Sequence, residues 1–267
     1  MKLWPLGLLA IAPLLGAFAP APISPAGQWV VNWADFKCLL VRQSGGPEPV
    51  SLFLQWEPGI RELDLKWLSG NGLSPSRSRV RELFIDPGHV RVEALAVADF
   101  GHGLSVGSMK VDDVFLDRLA SAASIRLEEN GSVLRELPLP EAARAVAAFR
   151  ECRDDALRGW GIDPVAYTAL RRLPKAMGGS TQWVRYSDYP PAALHQNRSG
   201  RPVARLTVGP DGRVSDCKIV HASGTPDLDT KTCDVMKRRA RYEPALGPDG
   251  APVAAPVIVG VNWRVLR

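Results

Sequence analysis

The strictest constraint in this sequence lies near its end. Over residues 257–265, Val257, Val259, Val261, Trp263 and Val265 fall on one side, and Ile258, Gly260, Asn262 and Arg264 on the other. A period of two marks a strand with one face in a core. Residues upstream supply its companions. Over 202–208, Ala204, Leu206 and Val208 share a side, Pro210-Asp211-Gly212 makes a turn, and 213–220 returns with Cys217 and Ile219 on one face. Thr225 and Pro226 suit the N-cap and first position of a helix over about 227–241, which carries Cys233, Met236 and Ala240 on one side. A loop with Pro244, Gly247, Pro248, Gly250 and Pro252 leads into the last strand. The order strand, strand, helix, strand predicts a small α+β unit.

The cysteines divide the chain in two. Cys38, Cys152, Cys217 and Cys233 are the four in the sequence, all beyond the leader. An even count in an exported chain reads as disulfides, for which four cysteines allow three pairings. Cys38–Cys152 and Cys217–Cys233 is the expected set, because it keeps one bridge inside each half. Export follows from the start of the chain. Lys2 precedes an apolar run over 3–19 that closes on Ala17-Phe18-Ala19 and Pro20-Ala21-Pro22. A basic start, an apolar core and small closing residues make a signal peptide over residues 1–21. The alternative is a retained N-terminal membrane anchor, since about 20 apolar residues span the hydrocarbon core. Pro5 and Pro13 weaken such a helix.

Residues 26–165 predict a second α+β domain. Segments 52–56, 63–67 and 90–97 read as strands and 112–122 as a helix. Segments 124–129 and 132–137 flank Asn130-Gly131, a strong hairpin signal. Pro140-Glu141 opens a helix whose Ala142, Ala145, Phe149, Cys152 and Ala156 share a face, so a bridge from Cys152 to Cys38 staples it to the domain's first strand. Residues 164–173 form a short helix, and 174–181 a short linker containing Gly178-Gly179-Ser180. Eight extended residues reach about 28 Å, so this domain sits beside the one at 182–267. With 24 Gly and 23 Pro the chain favours turns and short elements over a helical bundle. At 46% hydrophobic and 23% charged it is neither disordered nor a polytopic membrane protein. Its net charge of +5 is spread along the chain, so nucleic acid is not an expected partner.

Tyr189-Pro190-Pro191-Ala192-Ala193, Gly200, the strand at 203–208, Asp211-Gly212-Arg213-Val214, Ser223-Gly224, Leu228-Asp229, Arg241-Tyr242-Glu243-Pro244-Ala245, Gly250, Val253 and Trp263 follow one another in that order. This series resembles the TonB C-terminal domain family over roughly residues 180–267. The resemblance implies a three-stranded antiparallel sheet against a helix, acting in the periplasm or, with an anchored leader, on the inner membrane facing it. It implies capture of a TonB box-like peptide of an outer-membrane transporter, in TonB-dependent transport and energy transduction, with inner-membrane motor proteins as further partners if the chain is anchored. The outward Ile258, Gly260, Asn262 and Arg264 are the expected contact residues on the edge strand, with Tyr189 and Pro190 in the neighbouring segment. The chain departs from a full transducer. A folded domain and a short joint replace the long Pro-rich spacer, and the leader has no polar intramembrane residue of the kind suited to proton coupling. The alternative is a non-transducing structural or envelope-interaction protein that uses the same module to dock.

An enzyme is the third class. Gly103-Leu104-Ser105-Val106-Gly107 matches the G-x-S-x-G pattern and makes Ser105 a remote serine-hydrolase candidate. The expected helix begins too late for a nucleophile elbow, so no catalytic residue is expected. His89 and His102 near Asp86 and Asp99 lack regular ligand spacing, so neither a metal nor a cofactor is expected.

Overall fold

A computed structural model describes residues 27–34, 36–45, 49–69, 81–87, 90–99, 105–178 and 182–265. The expected signal peptide or anchor at 1–21 lies outside them. The N-terminal half comprises β1 (Trp29–Ala34), β2 (Lys37–Gln43), β3 (Val50–Trp56), β4 (Leu63–Ser69), β5 (Arg81–Asp86), β6 (Val90–Asp99), β7 (Ser105–Val111), α1 (Asp113–Ala120), β8 (Ser124–Glu129), β9 (Ser132–Pro138), α2 (Ala142–Gly159) and α3 (Pro164–Ala169). Its strands form one nine-stranded sheet in the order β1-β2-β3-β4-β7-β6-β5-β8-β9, antiparallel throughout.

Alternation drives the middle of this sheet. Leu52, Leu54 and Trp56 on β3 and Leu63, Leu65 and Trp67 on β4 are buried, while the residues between them are half-buried. Each such side chain contributes about 1.5–3 kcal/mol on burial. Asn130 and Gly131 both take positive φ, 51° and 77°, the turn their sequence favours between β8 and β9. Asp112 caps α1, accepting from the Phe115 amide at 3.0 Å. Helix α2 turns Ala142, Ala145, Val146 and Phe149 into the core, and Cys152 forms a disulfide with Cys38. Cys38 lies on the second strand, not the first. Strand β1 precedes it and shows no alternation, because its residues are half-buried or exposed on both faces.

The two ends of the sheet approach each other. Trp29 Nε1 donates to the Pro140 carbonyl at 2.7 Å. Arg42, buried on β2, donates to the carbonyls of Pro138 and Gly27 and lies 5.8 Å from the centre of the Trp29 ring.

The C-terminal part comprises β10 (Lys175–Ala176), a 3-10 turn (Tyr186–Asp188), α4 (Pro191–His195), β11 (Val203–Val208), β12 (Val214–His221), α5 (Pro226–Arg239), β13 (Tyr242–Glu243), β14 (Ala245–Leu246), β15 (Pro252–Val253) and β16 (Ala255–Gly260). A three-stranded antiparallel sheet in the order β12-β11-β16 packs against α5. The fold is α+β in both parts. A second core gathers Ala204, Leu206, Val208, Leu228, Met236 and Trp263, and a disulfide joins Cys217 to Cys233. Thr225 and Pro226 begin α5 as the sequence predicts, but Thr225 makes no side-chain cap. Asp229 instead accepts from the Ser223 amide at 2.8 Å, holding the incoming chain against the helix. Within the segment read as a linker, Lys175 and Ala176 pair with Glu243 and Tyr242. The loop before the last strand contains the β14–β15 pair.

Candidate functional site

Strand β16 is the outer strand of its sheet and pairs with β11 alone. Its direction of bonding follows from the contacts that extend the pairing past Gly260. Val261 N donates to Pro202 O at 3.1 Å, Trp263 N to Gly200 O at 2.9 Å, and Gly200 N to Trp263 O at 3.1 Å. Antiparallel partners exchange bonds at every second position. Odd-numbered residues therefore turn their backbone groups toward β11, and Ile258, Gly260 and Asn262 turn theirs outward. Side chains alternate in step: Val257, Val261 and Trp263 are buried in the C-terminal core.

The first half of this edge is occupied. Pro256 has no N–H to offer. Ile258 packs against the N-terminal core. Gly59, in the β3–β4 turn, stands so close that a Cβ there would lie 3.7 Å from Ile258 O and 3.8 Å from Val257 Cγ1. Contact with both an outward carbonyl and an inward side chain puts Gly59 beside the strand rather than over its face. Its φ of +86° suits glycine, and its amide donates to the Tyr167 hydroxyl at 3.2 Å. Burial pushes the Tyr167 hydroxyl up to about 12. Of the four expected contact residues, Gly260, Asn262 and Arg264 are exposed, whereas Ile258 is half-buried between the two cores.

The sheet's outer face meets the N-terminal half at several points. Arg205 Nη1 donates to the carbonyls of Trp160 and Gly161, each at 3.0 Å. Val220 packs on the N-terminal core, and the rings of Phe36 and His221 lie 4.8 Å apart. A cleft of about 380 Å³ opens between α3 and the sheet, bordered by Ile162, Asp163, Tyr167, Arg205, Thr207 and Pro256.

Tyr189 and Pro190 are both buried. The Tyr189 hydroxyl donates to Arg198 O at 2.5 Å, and its ring stands edge-on to Trp263 at 5.3 Å. Trp263 in turn donates through Nε1 to Thr232 Oγ1 at 2.9 Å. Tyr189 thus reaches the edge strand from beneath, through Trp263. Beside it, Asp188 receives Arg239 Nη1 at 2.5 Å and Nη2 at 3.0 Å, and the Arg185 amide at 2.8 Å. Burial alone would raise the Asp188 carboxyl. The bonds from Arg239 and Arg185 outweigh it and hold the carboxyl below its ordinary value. The run Lys237-Arg238-Arg239 reads in sequence as a solvated face, and nothing local marks Arg239 as the member that turns inward.

Ser105 opens β7, where it pairs with Ser69 and Asp99. A nucleophile elbow needs its serine on a turn from strand to helix, so this placement does not provide one. Gly103, Leu104, His89 and His102 lie outside the described residues. Among those residues no group of His, Cys, Asp and Glu is arranged to hold a metal, and no helix is long and apolar enough to cross a membrane.

Residues 185–265 match the family described as Gram-negative bacterial TonB protein C-terminal. No curated protein matches the chain. Among solved structures, invasion associated protein B from Bartonella henselae is similar over 49% of this chain and 97% of its own, at 12% identity and a TM-score of 0.40.

Proposed function

We propose that the TonB C-terminal-type domain captures an extended peptide of another protein by strand addition to the outer edge of β16, over Gly260, Asn262 and Arg264. The observation that carries this reading is the outward direction of the backbone groups at Gly260 and Asn262, both exposed. Such an edge gives affinity through main-chain bonds and selectivity through alternate side chains. The family match supports a partner of the TonB box type, a periplasmic segment of an outer-membrane transporter, in TonB-dependent transport. The leader-like start and the two disulfides support a periplasmic setting. Tyr189 serves the edge by holding Trp263, with Pro190 buried next to it in the chain.

A second reading has its own observation. The segment before the domain pairs with it through β10 and β13, and Arg205 ties the sheet to the N-terminal half. A domain held this way suits a non-transducing envelope protein that docks on its partner, more than a module pulled at the end of a tether.

Proline tests the edge directly. At 260 or 262 it removes one outward donor and leaves the ladder to β11 intact, as edge strands tolerate. Gly260→Pro and Asn262→Pro are each expected to weaken binding of a transporter's periplasmic N-terminal peptide about tenfold in fluorescence anisotropy, the equivalent of one main-chain bond. Binding that ignores both prolines rejects strand addition. Binding that persists when the peptide itself is removed from the partner favours the docking reading.

A further inference from the structure

We infer that the open stretch of β16 selects an extended segment carrying acidic side chains at alternate positions, an inference that rests on the strand-addition reading above. Two guanidinium groups border this stretch on its outer face. Gly200 pairs with Trp263 and Pro202 receives Val261, so Arg201 stands opposite Asn262. Its side chain leans over Gly260, where a Cβ would lie 3.5 Å from Arg201 Nε and 3.8 Å from Nη2. Arg264 donates through Nε to Asn262 Oδ1 at 3.3 Å, which draws its head toward the same face and leaves its Nη groups to bond a guest. Both arginines are exposed. Neither joins an ion pair among the described residues, whereas Arg213 and Arg239 in the same domain have Asp211 and Asp188.

Gly260 adds no side chain between the Arg201 head and an incoming strand. Positions 260 and 264 lie about 13 Å apart along an extended chain, so carboxylates on one face of that strand, two or four residues apart, meet both heads. Arginine is the side chain whose planar fork best matches a carboxylate. The other end of the edge limits the length of the guest. Pro256 and the Gly59 turn stop pairing at Ile258, so the contact is short and each acidic residue in it weighs more.

The test uses the full chain and two capped heptapeptides of Val and Thr, one with Glu at the second, fourth and sixth positions, the other with Gln there. Calorimetric titration at low and high salt is expected to show the Glu peptide binding roughly fivefold tighter at low salt, as two partly exposed ion pairs provide. That preference falls at high salt. Arg201→Gln and Arg264→Gln are each expected to remove about half of it in logarithmic terms, and the double variant all of it. Equal affinity for the two peptides overturns the inference and leaves strand addition standing if Asn262→Pro still weakens both. A Glu preference that survives the double variant, absence of binding by the Glu peptide, or Glu binding that is indifferent to Asn262→Pro also overturns it. The last result would mean charge attraction without strand pairing.

Discussion

The two sheets of this protein handle their edges in opposite ways. The nine-stranded sheet brings its ends together, with Trp29 and Arg42 bonded to carbonyls at the far end of β9 and just beyond it. The three-stranded sheet leaves β16 open from Gly260 onward, and what protection it has comes from the other half, through the turn at Gly59. A sheet with many strands can cover its own margins. One with three strands and a single long helix cannot, and unpaired strand edges invite pairing with another chain. The lesson is that the exposed length of the small sheet is set by its larger neighbour together with Pro256 in its own strand.

The largest test of that contrast lies in the two disulfides. Cys38–Cys152 closes a loop with a sequence separation of 114, Cys217–Cys233 one of 16. Loop-closure entropy gives about 4.7 kcal/mol for a loop of roughly 100 residues and about 3 kcal/mol for one near 15. Replacing both cysteines of the first pair by serine is expected to lower unfolding free energy in urea more than the same change in the second. The reverse order would mean that the N-terminal sheet does not depend on its staple.

Next comes the half-buried pair beside Tyr189, Asp188 with Arg239. Breaking Asp188–Arg239 from one side, with Asp188→Asn, is expected to destabilise the C-terminal part, because Arg239 and the Arg185 amide lose their charged acceptor. The pH dependence has a definite sign. The Asp188 carboxyl is held below its ordinary value, so its contribution is complete above the unfolded value of about 4 and is lost as pH falls through the folded one. Asp188→Asn should flatten that acid limb in urea titrations read by tryptophan fluorescence. An unchanged limb would show that other carboxylates carry it.

At the alkaline end the group to test first is Tyr242. Burial pushes its hydroxyl from 10 to about 12. The folded state therefore keeps a proton that the unfolded chain releases. The associated stability is whole below pH 10 and falls by about 2 kcal/mol as pH rises to 12. Tyr242→Phe should remove its share of that loss, measured as a denaturation midpoint that declines less over this range. Tyr167 is also pushed up to about 12. Its hydroxyl accepts the Gly59 amide as well, so the same replacement there would also loosen the turn beside Ile258.

The C-terminal part was largely legible in sequence, because local signals agreed with one another. Period-two runs, the Asp211-Gly212 turn and the Thr225-Pro226 start of the helix all pointed to the sheet and helix found. In the N-terminal half, β1 escaped notice because its residues are half-buried or exposed on both faces, which removes the alternation a reader relies on. Strand β7 was hidden by Gly107 and flanking serines, poor strand formers that here sit between β4 and β6. For the site, alternation gave the outward set Ile258, Gly260, Asn262 and Arg264. The withdrawal of Ile258 was not legible, since it depends on a turn and a core distant in sequence. The burial of Tyr189 followed from Trp263, a contact that no local pattern encodes.

The smallest expected effect bears most directly on how the halves are joined. Arg205 is half-buried on the outer face of β11, and its two bonds end on Trp160 and Gly161, where α2 finishes. Carbonyls at a helix C-terminus lack intrahelical partners and carry partial negative charge, so a guanidinium there is favoured twice over. Arg205→Met keeps much of the apolar stem and removes both bonds. The expected cost is about 1 kcal/mol, because part of the arginine remains open to water that can replace it. Hydrogen exchange reads the consequence better than a melting curve. If Arg205 holds the two halves in contact, the variant should speed exchange at the outward amide of Ile258, where the Gly59 turn now stands. The amides of Val257 and Val259, bonded to β11, should stay as slow as before. Uniform acceleration across β16 would instead mean that Arg205 supports the small sheet itself, and the protection of its edge would then owe little to the N-terminal half.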